Sequence, residues 1–141
     1  MSTPAAPPSS DRSVLVTGAS RGIGRAVAAA FAAVGERVVG LSRSGDAPAS
    51  VVGMSVDVTD AAALRRAVAR ARIRHGPIEV LVVCAGVSHD APAIRSPEPV
   101  WTDTIAVNLT AAFTCASAVL PDMLRARRGR IVLVSSVVAA R

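Results

Sequence analysis

The sequence predicts an α/β protein built on a parallel sheet flanked by helices, and three observations carry that expectation. Short apolar strand patterns alternate with helical ones from Ser13 onward. Hydrophobic residues make up 51% of the chain and aromatics only 2%, so the core has to be packed from Ala, Val, Leu and Ile. Val and Ile suit strands buried on both faces, and Ala lets helices approach them closely. Glycines also cluster at the junction of the first strand and the first helix, in "VLVTGASRGIG". At 141 residues the chain is one domain's worth of sequence.

The first strand is Ser13 to Thr17. "GRAVAAAFAAV" then spaces its Ala and Val as a helix does and closes at Gly35. A second strand runs from Arg37 to Leu41, "SRSGDAPAS" is loop chemistry, and Val51 to Val56 is a third strand. Thr59 and Asp60 offer a start for a helix over Ala61 to Arg74, which "HGP" ends. Ile78 to Cys84 is strand four. Ser96 and Pro97 resemble an N-cap followed by Pro at the first helical position, opening a long helix towards Arg128 that Pro121 is expected to kink or break. Ile131 to Ser135 is strand five. The order implies about five parallel strands. The opening "MSTPAAPPSS" reads as a disordered leader, residues 1–12, ahead of a domain over 13–141.

Charge excludes less than it suggests. The formal net charge is +6, and all sixteen basic residues are Arg. Arg65, Arg66, Arg70, Arg72 and Arg74 recur on one helical pattern and read as a solvated face. Arg125, Arg127, Arg128 and Arg130 crowd a helix end, where cations complement the dipole. Without interleaved aromatics or a recognisable module, no nucleic-acid partner is expected. Cys84 and Cys115 lie in apolar patterns with no second Cys or His at metal-ligand spacing, so no metal is expected and both read as buried thiols of a reducing compartment. The leader lacks the features of a signal peptide, and polar residues interrupt every apolar run short of membrane-spanning length. A cytoplasmic protein without a membrane partner is the expectation.

The glycine turn carries the chemistry. Gly18 allows a tight turn, Gly22 lets backbone come close to a ligand, and Gly24 lets the new helix pack on the strand. The N–H groups and dipole at that helix start favour a pyrophosphate, with Ser20, Arg21 and Ile23 beside it. A triphosphatase loop would end in Gly-Lys-Ser/Thr, and the chain has no Lys. A dinucleotide is therefore the expected ligand and a Rossmann-type sheet the expected fold. At the end of strand two a free ribose 2′-hydroxyl wants a carboxylate, whereas Ser42 and Arg43 stand there and Arg21 lies in the turn. Two guanidiniums suit a 2′-phosphate, favouring NADP(H) over NAD(H).

With "TGASRGIG", "DVTD" at 57–60, "CAG" at 84–86, "VNLTAAF" at 107–113 and "GRIVLVSS" at 129–136, the chain resembles the short-chain dehydrogenase/reductase family over residues 13–141. Within it, "RSVLVTG", "DVTD", "GPIEVLV" and "SSVV" look most like the 3-oxoacyl-[acyl-carrier-protein] reductases of bacterial fatty-acid synthesis. The resemblance implies that Asp57, with the Val58 backbone nearby, meets the adenine amine. Ala85 and Gly86 would line a ribose. Asn108 would belong to a catalytic tetrad, binding a backbone group and a proton-relaying water, and Ser136 would hydrogen-bond a substrate carbonyl. Taken singly, each has a structural alternative: Asp57 a turn residue, Asn108 a polar interruption in a helix, Ser136 a strand-end cap.

Two departures stand out. Val83 and Cys84 replace the two Asn that usually precede "AG", which removes a hydrogen bond expected to brace the centre of the sheet. The family's proton donor is a Tyr assisted by a Lys on the helix after strand five, and the chain contains neither residue type. His75 and His89 are the other proton sources in principle. Three readings follow, the first preferred: a cofactor-binding portion of an NADP-dependent reductase cut short before its Tyr and Lys, a non-catalytic dinucleotide-binding module, or one half of a split enzyme. A small-molecule carbonyl or acyl-carrier substrate and a family-like homo-oligomer belong to the complete form. An incomplete sheet would leave strand five as an exposed apolar edge.

Overall fold

The computed structural model describes residues 11–136, and within them the chain folds as a five-stranded, all-parallel sheet with helices on both faces. Strand β1 (Ser13–Thr17) leads into helix α1 (Gly22–Ala33), then β2 (Arg37–Ser42) and β3 (Val52–Ser55). Helix α2 (Ala61–His75) crosses to β4 (Val80–Val83). After a single 3₁₀ turn at Ala93–Arg95 come α3 (Glu98–Ile105), a π-turn (Ala106–Thr110), α4 (Ala111–Ala126) and β5 (Arg130–Leu133). Strand order is β3-β2-β1-β4-β5. The winding direction thus reverses at β1, and in such sheets the gap beyond the carboxyl ends of the strands at that reversal is where ligands sit.

Side-chain size divides the two layers. Val14, Val16, Val38, Val80 and Val82 point to the α1 side, where the alanines of "GRAVAAAFAA" allow the helix to settle close. Leu15, Leu41 and Leu81 point to the other side and meet Leu64 and Val68 of α2 and Cys115, Val119 and Met123 of α4. Each strand of the centre is buried on both faces, as parallel strands require. Burial pushes the Cys115 thiol up to about 11, consistent with a small apolar core residue.

Four expectations are revised. Strand five ends at Leu133, two residues short of Ser135. The helix cap falls one residue later than expected, with Pro97 as the cap and Glu98 as the first helical residue. Pro121 does not break α4, which continues to Ala126 because Val119 and Met123 are buried on either side of the proline. With no break there, Glu98–Ala126 is 29 residues of helix containing an 18-residue window with a mean hydropathy of 1.5, long and apolar enough by length and composition to cross a membrane, contrary to the reading that every apolar run is too short. Only 22% of that window is buried, with Cys115 and Val119 packed on the sheet and Leu109, Phe113 and Leu120 exposed.

Several arginines anchor the fold while remaining exposed to solvent, Arg72 among them. Arg72 Nε lies 2.9 Å from Oδ2 of Asp122, whose Oδ1 accepts from Arg125 at 3.1 Å, and Asp122 is only 3% exposed. This links α2 to α4. Arg128 pairs with Glu79 at 2.9 Å. Asp11 and Arg12, placed in the leader by the sequence, are tied to the fold: Arg12 Nη2 reaches Glu36 at 2.7 Å and Arg37 reaches Asp11 at 3.0 Å. Residues 1–10 of that leader lie outside the described residues. Arg65, Arg66, Arg70 and Arg74 are exposed, as read from the sequence. Val132, Leu133 and Val134 are 42%, 58% and 41% exposed, so β5 is the apolar edge anticipated.

Removing Arg72 leaves a buried carboxylate with one solvent-facing partner. Arg72→Ala is expected to lower stability by about 1–3 kcal/mol, read as a fall in the urea midpoint at unchanged slope.

Candidate functional site

A cleft of about 320 Å³ opens at the carboxyl ends of β1, β2 and β4, where the winding reverses. Two sets of hydrogen bonds gather these strand ends. Leu41 O accepts from Gly18 N at 2.8 Å and Ala19 N at 3.1 Å, joining β2 to the turn after β1. Thr17 Oγ1 accepts from Cys84 N at 3.2 Å and Ala85 N at 3.1 Å, joining β1 to the loop after β4. These bonds run from backbone amides to a threonine hydroxyl and are separate from the side-chain brace that an Asn pair would supply at positions 83 and 84.

The glycines shape the floor. Gly18 has φ +72° and sits so close to β4 that a Cβ would lie 2.9 Å from Ala85 N. Gly22 has φ +55° with nothing within 4 Å, leaving open space above the backbone. A Cβ on Gly24 would lie 2.2 Å from Gly18 O, so only glycine lets α1 start this near the turn. Arg21 is the N-cap of α1 and makes no side-chain cap, and no acid occupies the first turn. By contrast, Asp60 caps α2 by accepting from Ala63 N at 2.9 Å. The uncapped start of α1 presents amide donors and positive dipole to the cleft, a site suited to an anion.

All eleven residues expected to hold a dinucleotide line this cleft: Gly18, Ser20, Arg21, Gly22, Ile23 and Gly24 from the turn, Arg43 after β2, Asp57 and Val58 after β3, and Ala85 and Gly86 after β4. The Thr59 backbone N–H and hydroxyl donate to Asp57 Oδ1 at 2.9 and 2.7 Å. Together with the nearby Arg43 charge they hold the Asp57 carboxyl below its usual range, so it is an acceptor. Cys84, Val87, Asp103 and Val107 also line the cleft. Cys84 and Val107 open the "CAG" and "VNLT" motifs, whereas only nearness to those motifs marks Val87 and Asp103 in the sequence. Desolvation raises the Cys84 thiol.

Asn108 and Ser136 are not among the lining residues. Asn108 sits in the π-turn between α3 and α4, where its amide group forms a two-way clasp on Val87: Val87 N donates to Oδ1 at 2.9 Å, and Nδ2 donates to Val87 O at 2.8 Å. It fixes the loop that carries Ala85 and Gly86. Ser136 is exposed, three residues beyond β5, at the same end of the sheet as the cleft. His75 lies at the opposite edge, its carbonyl accepting from Arg37 Nη1 at the start of β2, so it faces no part of the cleft. His89 pairs at 3.5 Å with Asp103 on the cleft wall. Among the described residues no group of three or more His, Cys, Asp or Glu could hold a metal.

Comparison with known proteins agrees with this architecture. The chain is 43% identical over 133 residues to the 3-oxoacyl-[acyl-carrier-protein] reductase MabA of Mycobacterium bovis, covering 94% of this chain and 54% of that protein. It is 36% identical over 132 residues to the reductase FabG of Escherichia coli, covering 88% of this chain and 54% of that one. A short-chain dehydrogenase from Streptomyces avermitilis superposes with a TM-score of 0.85 at 32% identity, over 90% of this chain and 50% of that structure. The chain thus spans about half the length of the curated relatives it matches. The short chain dehydrogenase family model matches residues 12–141, and with the reversal of winding, the glycine turn and the uncapped helix all in place, the chain belongs to the short-chain dehydrogenase/reductase family.

Proposed function

We propose that this chain binds NADP(H) in the cleft, and that the whole protein reduces a 3-oxoacyl-like carbonyl to the alcohol. The observation that carries the reading is the uncapped start of α1 over a floor kept bare by Gly18, Gly22 and Gly24. The amides of the first turn would take the pyrophosphate. Arg21 and Arg43 stand at the same cleft with no carboxylate at the end of β2, and they would clasp a 2′-phosphate. Asp57, kept ionised by Thr59, would accept from an adenine amine, and the loop held by Thr17 and Asn108 would lie along a ribose. A bound nicotinamide nucleotide supplies the hydride.

Reduction also needs a proton for the developing alkoxide. Ser136, at the same end of the sheet as the cleft, would orient the carbonyl oxygen by hydrogen bonding. No Tyr or Lys occurs in the 141 residues. The chain by itself is therefore proposed to hold cofactor without turning over, which also keeps a non-catalytic nucleotide-binding module in view. Its similarity to the 3-oxoacyl-[acyl-carrier-protein] reductases MabA and FabG supports an acyl-carrier-linked substrate for the complete protein.

NADPH titration of the chain, followed by nucleotide fluorescence, tests the reading. Gly24→Ala, whose Cβ must displace Gly18 O, is expected to weaken NADPH by at least about tenfold; unchanged affinity in a folded variant would refute the assignment. Cys84 offers a second readout. A thiol-alkylating reagent should modify it slowly, and saturating NADPH should slow that modification further, measured by mass spectrometry. Carbonyl-dependent NADPH oxidation by the chain alone would contradict the proposed need for an additional proton donor.

A further inference from the structure

The loop that carries Arg43 lies on a strip of sheet from which side chains are missing. Gly40 of β2 and Gly53 of β3 are direct cross-strand partners. A Cβ on Gly53 would come within 2.1 Å of Gly45 O and 3.3 Å of Ala47 Cβ, whereas one on Gly40 would first meet Ala19 Cβ at 2.6 Å and reach Ala47 Cβ only at 3.4 Å. The bare position at Gly53 thus forms the slot that receives Gly45 to Ala47, with Gly40 beside it. Gly45 enters it with φ +77°, close enough to β3 that its own Cβ would lie 3.2 Å from Ser55 N.

Ser55, the last residue of β3, closes the slot from the side. Its hydroxyl donates to Arg43 O at 2.8 Å. From the other side Ser42 O accepts from Gly45 N at 3.2 Å, and Ser42 Oγ donates to Asp46 O at 3.1 Å. The backbone on both sides of Arg43 is therefore tied to the sheet. Gly53 and Ser55 take no part in lining the cleft, so whatever they do for a ligand they do through the loop.

We infer that Gly53 and Ser55 are positioning residues for nucleotide selectivity, holding the Arg43 loop so that its guanidinium stays at the cleft wall where a 2′-phosphate would be met. The inference rests on the reading of Arg43 given under Proposed function. A cation on an unanchored loop has to surrender backbone and side-chain freedom when it binds a phosphate, whereas one on an anchored loop has surrendered most of it on folding. The benefit is confined to NADPH, because NADH lacks the group that Arg43 would contact.

The test is to titrate the 141-residue chain and its Ser55→Ala, Ser55→Thr and Gly53→Ala variants with NADPH and with NADH. Losing the Ser55 hydrogen bond is expected to weaken NADPH about fivefold while NADH moves less than about twofold. Ser55→Thr, which keeps a hydroxyl, should restore the preference. Gly53→Ala should weaken NADPH further than Ser55→Ala does, because Gly45 O must leave the slot. Ser55→Ala removes one oxygen from an exposed strand end and carries the decision. Unchanged NADPH affinity in that variant, or an equal loss for both nucleotides, would overturn the inference. Preference lost in Arg43→Ala but kept in Ser55→Ala would overturn it alone; no preference in the parent chain would take the reading of Arg43 with it.

Discussion

The site depends on how three strand ends are tied together. Thr17 Oγ1 and Leu41 O each accept two backbone N–H groups, and these four bonds bring the turn after β1, the end of β2 and the loop after β4 to one place. Strand pairing alone would leave those ends free to splay beyond the last ladder bond. The glycines can then act on a fixed frame: Gly18 against Ala85 and Gly24 against Gly18 bring backbone to contact distances that side chains would prevent. The anion-binding character of the first turn of α1 follows from this closeness, with Arg21 as its cap and no side chain competing for the amides.

The sequence made the order of strands and helices legible because each element has its own signal: short Val-rich runs for strands, alanine spacing for α1, Asp60 and Gly76 for the ends of α2. The glycine turn was legible for the same reason, since glycines between a strand and a helix have few other uses. What could not be read were long-range pairings. Nothing near Arg72 in sequence announces Asp122, so a helix of arginines looked uniformly solvated. The proline of α4 looked like a break because its cost is local, while the burial of Val119 and Met123 that offsets it is tertiary. The Thr17 brace was equally hidden, because its donors, the Cys84 and Ala85 amides, lie nearly seventy positions away.

The site residues divide in the same way. Residues within one motif, from Gly18 to Gly24 or Asp57 to Thr59, come to the cleft together because a single turn carries them. Asn108, picked out by its motif and expected to bind a backbone group, pairs with both backbone groups of Val87. The arginines separate into those that hold the fold, such as Arg12 and Arg72 on buried carboxylates, and those left at the cleft, Arg21 and Arg43. These internal pairs cancel charge one for one, so the net +6 resides on the arginines that have no carboxylate partner to balance them.

The π-turn at Ala106–Thr110 has a bearing on how this chain can vary. A π-turn accommodates one residue more than the α-helical path would. The widened turn absorbs that residue, so α3 and α4 keep nearly the phase of one continuous helix. Asn108 sits inside it, and losing one residue there would restore α-helical hydrogen bonding while removing the widened backbone from which its amide reaches Val87. The surplus residue is thus spent on the grip that holds the loop carrying Ala85 and Gly86, and it can be shed without turning one helix about the other.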